Sequence, residues 1–266
     1  MVTSIERDGE RWRLRCGSAV AEVVPARGAI VSRFAVGSDE VLFLDEATLI
    51  DASKNVRGGV PVLFPFAGKP PAGSTLPQHG FARRMAWSAE AVGEEVVCTL
   101  HDDATTRAAW PFEFELVQRV GLSESALSLS WTFENRSAAP MPLHFGLHPY
   151  FRVPVASKSR VHVSGTVGEA YDNKAGVTRV VESVDFGQGE VDLHFSSRTP
   201  GSKLERGDGT SLELSWSRQF DTLVVWTLPE AGFVCVEPWT ARGQQPATQF
   251  VAPRSRVTLA LGINAR

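Results

Sequence analysis

An all-β fold, a large antiparallel β-sandwich with few or no helices, is what this sequence predicts, and three observations predict it. Short stretches of period-two alternation or continuous apolar character recur along the chain, while no pattern of helical period lasts three turns. Reversal signals built from Gly, Asp, Asn and Pro separate these stretches at short intervals. The length of 266 residues, 43% hydrophobic and 21% charged, is sufficient for one large sandwich with a substantial core. No Pro/Gly/Ser linker, composition shift or internal repeat divides the chain, so residues 1–266 are read as a single domain.

In chain order, Asp8-Gly9 is a reversal ahead of strands at 11–16, 19–25 and 29–36, and Gly37-Ser38 turns the chain into 41–44. Strands at 96–101, 112–121 and 126–134 follow, the last closed by Glu134-Asn135. A strand at 160–164 leads into residues 165–189, the longest loop expected, which contains Tyr171-Asp172-Asn173-Lys174. Beyond it come 191–195, then 211–215 after Gly207-Asp208-Gly209, 222–226, then 233–237 after Pro229-Glu230-Ala231-Gly232, and finally 256–261.

The net charge of −3 is small and no stretch gathers five or six like charges, which speaks against nucleic acid and anionic membrane as partners and for a small ligand. The first fifteen residues carry Glu6, Arg7, Asp8, Glu10, Arg11, Arg13 and Arg15, so no apolar signal region or spanning helix starts there, and a cytoplasmic location is expected. Cys16, Cys98 and Cys235 are odd in number, widely spaced and set in strand-like stretches, as reduced packing residues would be. No CxxC zinc pattern, phosphate loop or GxGxxG fingerprint occurs, and no cofactor or metal is implied.

Three segments break the strand pattern by concentrating Gly, Pro, His and aromatics: 57–87, 140–154 and 233–244. In Phe233-Val234-Cys235-Val236-Glu237-Pro238-Trp239, alternation puts Glu237 on the face of Phe233 and Cys235, opposite Val234 and Val236, with Pro238 expected to end the strand. A carboxylate continuing an apolar face has its pKa raised unless donors compensate, which suits a general base. In Leu143-His144-Phe145-Gly146-Leu147-His148-Pro149-Tyr150, His148 is held extended by Pro149 and, at an ordinary pKa of about 6.5, suits proton donation near neutral pH. His144 reads as a core histidine. The pair Gly58-Gly59 is expected to let backbone approach a ligand, and Arg57 and Arg83 to offer planar donors to hydroxyls or phosphate. Trp239, beside Glu237, is expected to line a pocket suited to the C–H face of a sugar.

These segments together resemble the aldose 1-epimerase (galactose mutarotase-like) family, including its hexose-6-phosphate relatives. The resemblance lies in Arg-Gly-Gly-Val-Pro-Val-Leu-Phe-Pro at 57–65, His-Gly-Phe-Ala-Arg at 79–83, Gly-Leu-His-Pro-Tyr-Phe at 146–151 and Cys-Val-Glu-Pro-Trp-Thr at 235–240. It implies a supersandwich whose concave face holds a sugar, with no cofactor. It also implies that Glu237 takes the proton from the anomeric hydroxyl while His148 protonates the ring oxygen, that His79 orients the sugar, and that Asp221 occupies an acidic sugar-binding position. The chain departs from the galactose mutarotases proper in carrying Leu147-His148-Pro149-Tyr150 where they carry an Asn-His-Thr-Tyr-like sequence. In the hexose-6-phosphate branch, arginines at positions like Arg57 and Arg83 bind phosphate.

The expected activity is anomer interconversion of a free hexose. Alternatives are the same chemistry on a hexose 6-phosphate, a non-catalytic carbohydrate-binding module on the same face, and a metal site built from His79, His144, His148 and Glu237. Removal of Arg57 or Arg83 separates the first two, and turnover lost in Glu237→Gln separates enzyme from module. Edge strands studded with Arg and Glu are compatible with a monomer or an oligomer.

Overall fold

A computed structural model of the chain describes residues 2–197 and 199–265. Among the described residues, alternating sequences build two extensive sheets, a five-stranded one and a two-stranded ribbon of Met141–Pro142 with Phe250–Val251, antiparallel throughout their paired strands. The first eight-stranded sheet runs His162–Val163, Gly201–Glu205, Ser211–Trp216, Arg256–Ala265, Ala126–Asn135, Phe114–Leu122, Glu95–His101 and Ser88–Val92. The second runs Val177–Val181, Gly168–Asp172, Val191–Ser196, Thr222–Thr227, Phe233–Trp239, Gly146–Leu147 and Val62–Leu63, with Tyr150–Arg152 also paired to Phe233–Trp239. The N-terminal sheet holds Ser4–Asp8, Arg11–Cys16, Ala19–Val24, Ile30–Val36 and Asp39–Glu40.

Each sheet buries one set of alternate residues in a shared core. Leu14, Ala21 and Phe34 come from the N-terminal sheet, Leu116, Trp131 and Leu261 from the first large sheet, and Leu193, Val234 and Val236 from the second. Phe64 knits the layers together, meeting Trp110 and Phe114 edge-on at 5.2 Å and Phe133 at 5.4 Å between ring centroids. Helix is confined to the short segments Glu46–Ile50 and Ala104–Ala109 and three 3-10 segments, Pro25–Arg27, Ala82–Arg84 and Val155–Arg160, among the described residues. Asp103 and Thr106 form a reciprocal capping box at the start of the second helix. No helix among the described residues is long and apolar enough to cross a membrane.

The all-β expectation holds, and several elements differ from it. Residues 165–189 are not one loop: Gly168–Asp172 and Val177–Val181 form a hairpin at the sheet edge. Residues 41–44 make only isolated bridges, Leu42 to Phe151 and Leu44 to Gly58, because the segment bonds to two different partners in turn. Glu134-Asn135 is no tight reversal, since the strand continues through Asn135, whose side-chain amide donates to Ala139 and Val251 carbonyls. Pro238 does not end its strand, which runs on to Trp239. Residues 160–164 reduce to His162–Val163 behind a 3-10 turn. Gly58 and Gly59 serve backbone packing rather than ligand approach: a Cβ at Gly59 would lie 2.4 Å from the Val31 carbonyl, and one at Gly58 2.5 Å from the Leu44 Cα.

Candidate active site

The strand Phe233–Trp239 is central to the second sheet, and its alternation decides which side chains leave the core. Val234 and Val236 enter the shared core, while Cys235, Glu237 and Trp239 face the other way. Residues directly opposite on antiparallel strands share a face. Registers therefore set one row across the sheet, Tyr171, His194, Val224 and Glu237, and beside it a second, Asp192, Trp226, Cys235 and Tyr150. Gly146 stands opposite Trp239. A Cβ there would sit 2.6 Å from the indole Cδ1, so only glycine leaves room for this ring.

Over this face lies a pocket of about 610 Å³. Glu237 and His148 meet within it, Glu237 Oε1 lying 3.5 Å from His148 Nε2. The Trp239 indole N–H donates to Glu237 Oε2 at 3.2 Å and is shared with the Leu147 carbonyl at 3.3 Å. His148 stacks on Tyr150, with ring centroids 4.7 Å apart, and sits edge-on to Trp226 and His79. Its backbone N–H is tied to the Pro61 carbonyl. The break at Pro149 thus leaves His148 between the short strands Gly146–Leu147 and Tyr150–Arg152.

Burial governs the charge of this pair. The Glu237 carboxyl is held well above the ordinary carboxylate range by burial, with the Asp192 charge adding to the shift and the Trp239 N–H opposing it. His148 does not keep an ordinary imidazole value: burial, reinforced by the Arg83 charge, lowers it to about 3. Burial thus favours the neutral form of both side chains, so a proton carried by the pair favours the carboxyl over the imidazole.

His79 takes a left-handed backbone at φ 66° and accepts the Gly68 N–H at Nδ1, which leaves its ring proton on Nε2. Burial keeps this imidazole well below its usual pKa. Arg83 donates to the Gln78 carbonyl, its buried Nε has no partner, and burial lowers the guanidinium to about 10, still a cation at neutral pH. Arg57 and Lys69 stand exposed on the pocket lining.

The structure thus gathers His148, Glu237, His79, Arg57, Arg83 and Trp239 in one pocket. Asp221 is not brought into it. Pocket-facing positions on its strand are Val224 and Trp226, whereas Asp221 precedes the strand, is exposed, and accepts the Thr222 hydroxyl at 3.0 Å. The pocket is lined instead by Asp192, two residues before His194 on the next strand, and by Glu190, which accepts the Trp226 indole N–H at 3.2 Å. His194 Nε2 lies 3.1 Å from Asp192 Oδ1, and Asn173 donates to Oδ2 at 2.8 Å. The alternation Asp192-Leu193-His194 inside an apolar strand was the signal that marks both as facing away from the core. His144 stays apart: it accepts the Ala67 N–H at 3.1 Å and stacks on Phe66, so the four-ligand metal set of His79, His144, His148 and Glu237 is not assembled.

Comparison with known proteins bears on the family and the fold. A family profile described as aldose 1-epimerase matches residues 10–252. A Salmonella typhimurium protein named "Putative glucose-6-phosphate 1-epimerase" is 35% identical over 147 residues, 52% of this chain and 46% of that protein. The matched part of the chain therefore spans about half the length of this curated relative. Among solved structures, a Synechocystis sp. PCC 6803 protein superimposes with a TM-score of 0.87 at 27% identity, covering 99% of this chain and 95% of that one. A galactose mutarotase-like protein from Clostridium acetobutylicum shares the fold, with a TM-score of 0.79 at 16% identity over 99% and 98% of the two chains.

Proposed function

The chain belongs to the aldose 1-epimerase family, and from that premise we propose that it is a mutarotase exchanging the α and β anomers of a hexose by acid–base ring opening. The observation that carries this is the His148–Glu237 pair, 3.5 Å apart in a sugar-sized pocket. Ring opening needs a proton removed from O1 and another delivered to O5, so two groups must act at separate oxygens. The raised carboxyl and the depressed imidazole support a proton shared by the pair and carried on the carboxyl side, as the reaction requires. When sugar hydroxyls and the Trp239 N–H solvate the carboxylate, that proton passes to the imidazole. Glu237 then takes the O1 proton, the C1–O5 bond breaks with its electrons going to O5, and His148 protonates O5. The aldehyde forms, turns about C1–C2, and recloses by the reverse transfers.

His79 Nε2–H is placed to donate to the sugar, and Asp192, held at both oxygens, to accept from its hydroxyls. We assign the acidic sugar-binding role to Asp192 in place of Asp221. A reducing, cytoplasmic setting is part of this reading, and it suits a chain whose three cysteines are all buried.

A second reading, that the hexose carries a phosphate, is favoured by Arg57, Lys69 and the unpartnered Nε of Arg83 on the pocket wall, and by the name of the Salmonella relative. Anomer exchange measured by NMR on glucose, galactose and glucose 6-phosphate tests both readings. Acceleration above the spontaneous rate that vanishes in Glu237→Gln supports the mutarotase. Preference for the phosphate ester that is lost in Arg83→Gln supports the second reading. No acceleration with any of the three sugars would sink the catalytic reading for these substrates and leave a carbohydrate-binding module.

A further inference from the structure

We propose that the same pocket is a regulatory site for a divalent transition-metal ion of the zinc type, held by His148, Cys235 and Glu237, whose binding closes the pocket to sugar. One ligand atom from each of the three residues lies within 4.8 Å of the other two. The fold puts them there: Cys235 and Glu237 project from the same face of one strand, and Tyr150, two residues beyond His148, pairs opposite Cys235. The thiol is buried beside the pocket floor and is not bound in a disulfide.

The donor set is an imidazole nitrogen, a thiolate and a carboxylate oxygen, which suits zinc and its neighbours and disfavours magnesium and calcium. Three protein ligands with a pocket on the remaining side form an open site, the fourth position being free for water. A thiolate and a carboxylate together offset the double charge of the ion, so the loaded centre is neutral where water is scarce. The sequence contributes this third ligand by the same alternation that presents Glu237. The metal occupies the two groups to which proton transfer has been assigned, so inhibition rests on the proposed function, whereas binding does not.

The test uses the whole chain kept reduced with a phosphine, with Co²⁺ as the spectroscopic probe, Zn²⁺ as the inhibitor and Mg²⁺ as the control. Expected is one Co²⁺ per chain with a thiolate-to-cobalt charge-transfer band, displaced by Zn²⁺ and unaffected by Mg²⁺. Cys235→Ala should fold, as judged by circular dichroism, lose the band, retain anomer exchange, and require about tenfold more Zn²⁺ or greater for inhibition. Glu237→Gln, which keeps the thiol, should bind Co²⁺ about tenfold or more weakly and serves if Cys235→Ala does not fold. Absence of the band in the unaltered chain, or its persistence in Cys235→Ala, overturns the proposal. Because the band is read without sugar, a chain that exchanges no anomers still answers whether the metal binds.

Discussion

Glu237 is a carboxyl whose neutral form is favoured by its surroundings, and this has a thermodynamic sign. Its pKa rises from an ordinary 4.5 to well above that range on folding. The folded state therefore binds the proton more tightly, and the stability it contributes is fully present below the unfolded value and lost as pH rises through the folded one. Glu237→Gln removes that loss. It should melt higher than the parent, with a larger gain at about pH 8 than at about pH 4, while anomer exchange falls by roughly 10²–10⁴-fold. A gain in melting temperature independent of pH would contradict the raised pKa of the buried carboxyl. For His148 the folded value of about 3 lies below the ordinary 6.5. Its contribution is complete above 6.5 and is lost as the pH falls from there through about 3. Acid titration of the parent, followed by circular dichroism, should lose stability across that window, and His148→Gln should lose less.

At the scale of elements, cross-strand register determines which acid meets the sugar. Asp192 sits opposite Trp226 on the pocket face, and Asp221 lies outside the strand that carries Trp226. Asp192→Asn is expected to raise KM roughly tenfold to a hundredfold, the worth of a charge-assisted hydrogen bond, and Asp221→Asn to leave it unchanged. Steady-state kinetics on the sugar that exchanges will separate them; the opposite ranking would restore Asp221. Gly146→Ala places a methyl against the Trp239 ring and should cost about 1–3 kcal/mol of stability, with kcat falling because the indole that donates to Glu237 is displaced. Denaturant titration and rate measurement on the same protein check both halves. Legibility in the sequence follows the same division. Glu237 could be placed by alternation because its strand is a clean one, Val234 and Val236 inward and Cys235 and Glu237 outward. Asp192 and His194 obey the same rule, but recognising their pocket required knowing which strand lies next to which. The hairpin over residues 168–181 is not legible in the sequence because its second strand is largely exposed and shows no apolar face.

For the whole molecule, the two large sheets share one core, and the ring of Phe64 ties the segment leading to His79 into the first sheet. Phe64→Ala should cost about 3–5 kcal/mol, and a single cooperative transition in denaturant is expected of a chain folding as one domain. Two separated transitions would divide it. The overall class was legible because long antiparallel sheets with one buried face write alternation into the sequence. The curling of the N-terminal segment into a sheet of its own was not, since register and sheet membership depend on contacts far apart along the chain. Trp226 and Trp239 both line the pocket, and Trp239 hands its N–H to the buried carboxyl. The fold thereby contains its own optical reporter. Ionisation of Glu237 or arrival of a ring-shaped ligand changes the field around these indoles, so intrinsic fluorescence follows occupancy and protonation in real time, with no label attached.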